Sequence, residues 1–217
     1  MSEAMIAPRR WTAQNDDKVR GDKSNARRIE LAEAALETLS ELGYARTSLR
    51  EIAQKSDFSH GVLHYYFTDK TDLICCAVRH YKTNCATRYD ALVAAAQSPT
   101  ELVENFLVKM RESLCSEAHM HRLWYDLRSQ ALYDAAYRKD VTEIDTLLEA
   151  MVWRIASRYA ELCRKSPAAP SHVLYALLDG MFQRALLAYV GGDHGVADRL
   201  VADVRPLFGL IAQPDAN

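Results

Sequence analysis

The chain has 217 residues, 49 % of them apolar and 26 % charged, with 8 Gly and 6 Pro. That is the size of one large or two small domains of ordinary soluble composition, with too little turn punctuation for a strand-and-turn fold. No run of eighteen apolar residues occurs, and the opening MSEAMIAPRRWTAQNDD lacks an apolar segment. Neither a membrane span nor a secretory leader is expected, and a cytoplasmic location follows. The five cysteines (Cys75, Cys76, Cys85, Cys115 and Cys163) are odd in number and form no C-x-x-C pair. They read as inert thiols in a reducing compartment, with no disulfide framework, metal site or cofactor expected. The net charge of −2 argues against nucleic acid, but its distribution does not. Residues 1–28 carry seven basic against four acidic side chains, whereas residues 29–85 carry six against eight. A local basic patch is enough for contact with phosphates.

Residues 1–23 are polar and without period, and read as a disordered basic arm. Ser24 is the expected N-cap of a helix carrying Ile29, Ala32, Leu36, Leu39 and Leu42 at helical spacing, closed by Gly43 as a left-handed cap. Two short helices follow. The first starts at Ser48, in the capping box Ser48-Leu-Arg-Glu51, and runs to about Lys55. After the turn Ser56-Asp57-Phe58, Ser59 caps the second, which carries Val62, Leu63 and Tyr66. Asp69-Lys-Thr-Asp72 then caps a long helix from Lys70 to about Val93. Ser98-Pro99-Thr100-Glu101 starts a helical stretch to Cys163 with breaks near Glu117–His121 and Tyr137–Asp140. Ser166 to Pro170 is a linker, and Ser171–Val190 is a long apolar helix. Gly191–Gly195 is a turn with Asp193 as N-cap. The last helix runs from Val196 to about Ile211, bent by Pro206. The expected fold is all-α, with about nine helices and no strand. Residues 24–85 form a three-helix DNA-binding domain, and residues 86–212 a larger helical domain for ligand binding and dimerisation.

Two short helices joined by a three-residue turn and braced on both sides describe a helix-turn-helix. The outer face of the second holds Ser59, His60, Gly61, His64 and Tyr65, groups able to reach phosphates and base edges. Gly61 costs about 1 kcal/mol in a helix relative to Ala, so close approach to DNA or to the bracing helix should offset it.

The run from Gly43-Tyr44-Ala-Arg46-Thr47-Ser48-Leu49-Arg50-Glu51-Ile52-Ala53 to Gly61-Val-Leu-His-Tyr-Tyr66-Phe67-Thr-Asp-Lys70-Thr-Asp-Leu73 closely resembles the signature of the TetR family of transcriptional regulators. The resemblance covers about residues 25–85. It implies a dimeric repressor released from operator DNA by a small organic effector. Thr47 and Ser48 would grip a phosphate, with Arg46 beside them. His60, Val62, His64 and Tyr65 would face the major groove, and Tyr66 and Lys70 would contact the backbone. Tyr44 and Phe67 would serve packing. This chain departs from the family at Asp57, where Gly is usual, and at His64, where Tyr is common. A left-handed turn residue at Asp57 would make Asp57→Gly stabilising by a few tenths to about 1 kcal/mol.

The remaining helices supply a twin interface from 171–190 and 196–211, whose apolar faces exceed what one buried stripe needs. An effector pocket is expected among His121, Trp124, Tyr125, Arg128, Tyr133, Met151, Trp153, Met181 and Phe182, an aromatic set suited to a flat or anionic ligand. Asp179-Gly180-Met-Phe-Gln-Arg184 and its flanks resemble the branch containing choline-responsive betaine-operon repressors. Other classes fare worse. Glu117, His119 and His121 alternate at spacing two, which does not share a helical face and disfavours a metal-dependent enzyme. No nucleophile elbow, P-loop or paired-carboxylate constellation is visible. A helical scaffold without DNA would leave the polar face around His60 unexplained.

Overall fold

The computed structural model describes residues 11–43 and 47–213. Tyr44 and Arg46 lie outside them, as does the stretch 1–10 of the arm. Among the described residues the chain is almost wholly helical, and nine of its helices have seven residues or more. Helix α1 (Trp11–Leu42) begins well before the expected Ser24. The arm reading of residues 11–23 gives way to helix because no proline follows Pro8 until Pro99. Gly43 closes α1 at φ +72°, a conformation glycine adopts without strain.

Helices α2 (Leu49–Lys55), α3 (His60–Tyr66) and α4 (Lys70–Thr87) follow, each started by the expected side chain. Ser48 Oγ accepts from the Glu51 N–H at 3.2 Å, Ser59 Oγ from Val62 at 3.3 Å and Asp69 Oδ1 from Asp72 at 2.9 Å. The bracing is apolar: Leu31, Ala35 and Leu39 of α1, Ile52 of α2, Leu63 of α3 and Leu73 and Val78 of α4 are all buried in one core.

The turn between α2 and α3 corrects one expectation. Arg164 is the one non-glycine residue at positive φ among the described residues, so Asp57 is not left-handed. The turn closes instead through the Phe58 N–H donating to Ser56 Oγ at 3.4 Å. Without strain to relieve, Gly at this position only loosens the unfolded chain. Asp57→Gly therefore lowers stability, by about 0.5 kcal/mol, readable as a lower melting temperature.

Helix α4 ends at Thr87 and α5 (Asp90–Ala95) follows, so the expected single helix to Val93 is broken. The break lies where Arg88 pairs with Glu117 at 2.8 Å and Tyr89 packs on Phe106, contacts between distant segments that local periodicity does not encode. Helices α6 (Pro99–Ser116) and α7 (Ala118–Tyr133) meet at Glu117, and a 3-10 turn (Ala135–Tyr137) leads into α8 (Arg138–Leu162). Helix α9 (Ser171–Val190) packs on α7 and α8. Pro206 separates α10 (Val196–Val204) from α11 (Leu207–Leu210). Asp193 does not cap α10; it pairs with Arg199 instead. The expectation of no strand is overturned by one minimal pair. Ser166–Pro167 and Ala212–Gln213 run antiparallel and tie the α8–α9 linker to the chain after α11.

Polar contacts from α4 run both ways. Towards the rest of the molecule, the Thr71 hydroxyl meets the buried Tyr137 hydroxyl at 3.0 Å and Arg79 reaches Asp140 and Glu143 on α8; towards α1, His80 reaches Glu33 at 2.7 Å. Helix α4 thus belongs to both halves of the molecule.

Candidate nucleic-acid interface and interior cavity

The start of α2, the outer face of α3 and the start of α4 enclose a shallow concavity of about 430 Å³ on the surface. Ser48, Arg50, His60, His64 and Lys70 line it together with Thr68 and Asp69. Arg50 is the residue the sequence reading missed; its exposed position two residues after the Ser48 cap was the available signal. His60 and His64 lie one turn apart with ring nitrogens 3.1 Å from each other, and rings in an edge arrangement. Tyr65 is 82 % exposed and stacks edge-on against Tyr66. Ser48 and Asp69 on this face cap α2 and α4, and Thr68 is bonded to Asp72, while the side chains of Arg50, His60, His64 and Tyr65 are exposed.

The other expected contacts are less exposed or already engaged. Thr47 also lines the concavity, but it is 2 % exposed and its hydroxyl donates to the Gly43 carbonyl at 2.7 Å. Val62 and Tyr66 are partly buried and pack against the core. Ser59 is exposed but serves as the α3 cap. Gly61 is exposed, and a Cβ there would meet nothing nearer than Ser59 Oγ at 3.9 Å. The bracing helix therefore does not require glycine, and only an outside surface can. Gly61→Ala is expected to raise the stability of the free protein by about 0.5–1 kcal/mol while weakening DNA binding. Thermal unfolding and a gel shift on the same variant check both halves.

Behind the face, Arg28 on α1 fixes the α3–α4 corner. Its guanidinium donates to the Tyr66 carbonyl and to the Asp72 carboxylate, and lies 4.6 Å over the Phe67 ring. Burial alone raises the Asp72 pKa, but the Arg28 hydrogen bond and the Thr68 N–H outweigh it and hold the carboxyl below its usual value.

Residues 31–74 match the family described as bacterial regulatory proteins, tetR family. That stretch spans the end of α1, α2, α3 and the start of α4, so the helix-turn-helix part of the chain is similar to the DNA-binding domain of that family. The similarity extends past that domain. The chain is 28 % identical over 194 residues to the HTH-type transcriptional regulator BetI of Paraburkholderia phymatum, covering 88 % of this chain and 95 % of BetI. Its fold is similar to that of the regulator FadR from Bacillus subtilis, solved with stearoyl-CoA (TM-score 0.65, 14 % identity, 80 % of this chain and 95 % of FadR). It is also similar to that of the multidrug binding protein EbrR, solved with imidazole (TM-score 0.60, 23 % identity, 88 % and 97 % covered).

Beyond the matched domain, a cavity of about 100 Å³ lies between α4, α6, α7, α8 and α9. Five of the expected residues line it: His121, Trp124, Tyr125, Met151 and Phe182. Four do not. Tyr133 is 87 % exposed, Trp153 is exposed on the outer side of α8, and Met181 packs against the core. Arg128 stands behind the wall, where it pairs with Asp179 at 2.5 Å and Asp145 at 3.4 Å. That clamp joins α7, α8 and α9, and the Tyr125 hydroxyl completes it by donating to Asp179 at 2.9 Å.

The sequence reading missed the polar floor. Lys82, Arg88 and Asp179 line the cavity with Ser113 and Tyr175. Lys82 continues the inward stripe Val78, Lys82, Cys85 of α4, which was the signal for its burial. Its ammonium lies 3.0 Å from His121 Nδ1, and His121 Nε2 lies 2.8 Å from Ser113 Oγ. A neutral imidazole satisfies both: Nδ1 accepts from Lys82 and Nε2–H donates to Ser113. Burial, then the charges of Lys82 and Arg88, push the His121 pKa well below its ordinary value.

Proposed function

We propose that this regulator is an operator-binding repressor that works as a homodimer through α9 and leaves DNA when a small organic molecule fills the interior cavity. The observation that carries the DNA reading is the single concave face uniting Ser48, Arg50, His60, His64 and Lys70. Two α3 helices about 34 Å apart would enter successive major grooves of one operator. Ser48, Arg50 and Lys70 are assigned to phosphates, and His60, His64 and Tyr65 to base edges.

The dimer rests on α9. Val173, Ala176, Leu177, Gly180, Leu187 and Val190 recur on its exposed side, and the position of Gly180 is open to an approaching helix because a Cβ there would meet nothing within 4 Å. By length and composition α9 could also cross a membrane. Its other side is committed to the protein, with Leu174, Tyr175, Ala185 and Leu186 buried and Asp179 paired, which favours the twin. The second expected helix takes a smaller part: Ala197, Leu200 and Val204 of α10 are spent inside the protomer against α6 and α9.

Helix α4 supplies the link from cavity to DNA. Lys70 at its start lines the outer face, and Lys82, twelve residues on and about 18 Å along the axis, lines the cavity. A ligand that binds better to one setting of α4 shifts the spacing of the two α3 helices and with it operator affinity. The ligand-bound FadR and EbrR neighbours support a ligand role for this half of the fold. A gel shift on the chain's own upstream DNA tests the reading. His60→Ala and Tyr65→Ala should reduce sequence preference, and Lys70→Ala should weaken binding and flatten its salt dependence. Undiminished operator binding in all three variants contradicts the assignment.

A further inference from the structure

The cavity holds donors that lack acceptors. Lys82 is 3 % exposed, and its ammonium has one hydrogen-bond partner, the neutral His121. The titratable and charged groups around it come from three sides: Cys85 on its own helix and Arg88 just past its end, Glu117 at the α6–α7 corner and Asp179 on α9. Both carboxylates are already engaged, Glu117 by Arg88 and the Tyr81 hydroxyl, Asp179 by Arg128 and the Tyr125 hydroxyl. Trp124 is 1 % exposed, and its indole N–H has no hydrogen-bond partner among the described residues. A buried donor without an acceptor costs about 1–3 kcal/mol, so this wall is built for something it does not itself contain. The Lys82 ammonium lies over the Trp124 ring, 5.6 Å from its centre, and both side chains line the same cavity. The rest of the wall combines the polar groups Arg88, Ser113, Tyr175 and Asp179, already engaged with one another or with neighbouring side chains, with the apolar side chains of Phe106, Met110 and Phe182.

We propose that the cavity takes a small organic carboxylate, whose oxygens accept from Lys82 Nζ and Trp124 Nε1 while its apolar body lies against Phe106, Met110 and Phe182. One carboxylate offers the several lone pairs the two donors lack. A cavity of about 100 Å³ is below the size that admits benzene in an engineered core, so the acid is a short chain or a single ring with local side-chain adjustment. Lys82 also excludes a quaternary ammonium, which would bring a second cation to a buried ammonium. Burial lowers the Lys82 pKa to about 8, so its charge, and with it the affinity for an acid, is lost as pH rises through that value.

The full-length protein is titrated with butyrate, hexanoate and benzoate, with butyramide and benzamide as neutral matches and choline as the cation, followed by calorimetry and tryptophan fluorescence. The acids are expected to bind at least tenfold more tightly than their amides, and choline not to compete. Affinity for the acids should fall about tenfold between pH 7 and pH 9. Lys82→Met should remove the preference for acid over amide. Amides that bind as well as acids, competition by choline, or no binding of any acid at millimolar concentration overturns the proposal. Should Lys82→Met fail to fold, the pH profile of the unaltered protein decides, and a flat profile overturns it. Only the regulatory meaning of the proposal rests on the repressor reading above. Acids that bind without releasing operator DNA contradict effector release and leave the carboxylate site standing, whereas release by a neutral or cationic ligand that spares Lys82 does the reverse.

Discussion

Leu187→Glu is expected to convert the protein to monomers and to lower operator affinity by about a hundredfold or more. Leu187 lies on the outer side of α9 and is 76 % exposed, so the change removes nothing from the protomer's core. In a two-fold interface each partner would bury an unpaired carboxylate in an apolar face, which costs several kcal/mol. Loss of the second protomer also removes the effective concentration that joins two half-sites, which accounts for the fall in DNA affinity. Light scattering at micromolar concentration reads the first effect and a gel shift the second. An unchanged dimer would remove α9 from the interface. The melting temperature extrapolated to the monomer should stay close to that of the parent.

The second large effect concerns the corner behind the DNA face. Phe67 ends α3, is 1 % exposed and is covered by the Arg28 guanidinium. Phe67→Ala is expected to cost about 3–5 kcal/mol, the range for emptying a buried aromatic site. Because Arg28 stacks on that ring while holding the Tyr66 carbonyl and Asp72, the clamp loosens with it. DNA binding should fall in parallel with stability. Tyr65→Ala, two residues away, should leave stability within about 0.5 kcal/mol, because the side chain is 82 % exposed. It should reduce only sequence preference. Thermal unfolding of the pair separates the two roles, and equal destabilisation would refute the placement of Tyr65 on the outer face.

The DNA-binding half was legible in the sequence because its start signals are local. Ser48, Ser59, Asp69 and Ser98 each accept from the N–H three residues on, a contact that four consecutive residues specify by themselves. Features set by distant partners were not legible. The end of α4 depends on Arg88 meeting Glu117, and the strand pair depends on residues 166 and 213 meeting across α9 and α10. Lys82 was hidden because a lysine in a helix ordinarily faces water; here its helix packs against α1, α7 and α8. The engagement of the Thr47 hydroxyl by the Gly43 carbonyl was not legible either, because a hydroxyl beside a cap gives no sign of which acceptor it meets.

Two helical glycines carry a common message. Gly61 on α3 and Gly180 on α9 each weaken their helix by about 1 kcal/mol relative to Ala, and neither is crowded by its own protomer. In the proposed complex one faces the groove of DNA and the other the twin. Alanine at Gly61 therefore separates folding from function, since it improves the first at the expense of the second.

The central claim is that a pair of these chains reads one operator with two α3 helices. Footprinting the full-length protein on its own upstream DNA tests it most directly. The account predicts one protected site with two related half-sites centred about one helical turn apart, bound at least about a thousandfold more tightly than scrambled duplex. Equal affinity for operator and scrambled DNA, or protection of a single isolated half-site, would contradict it.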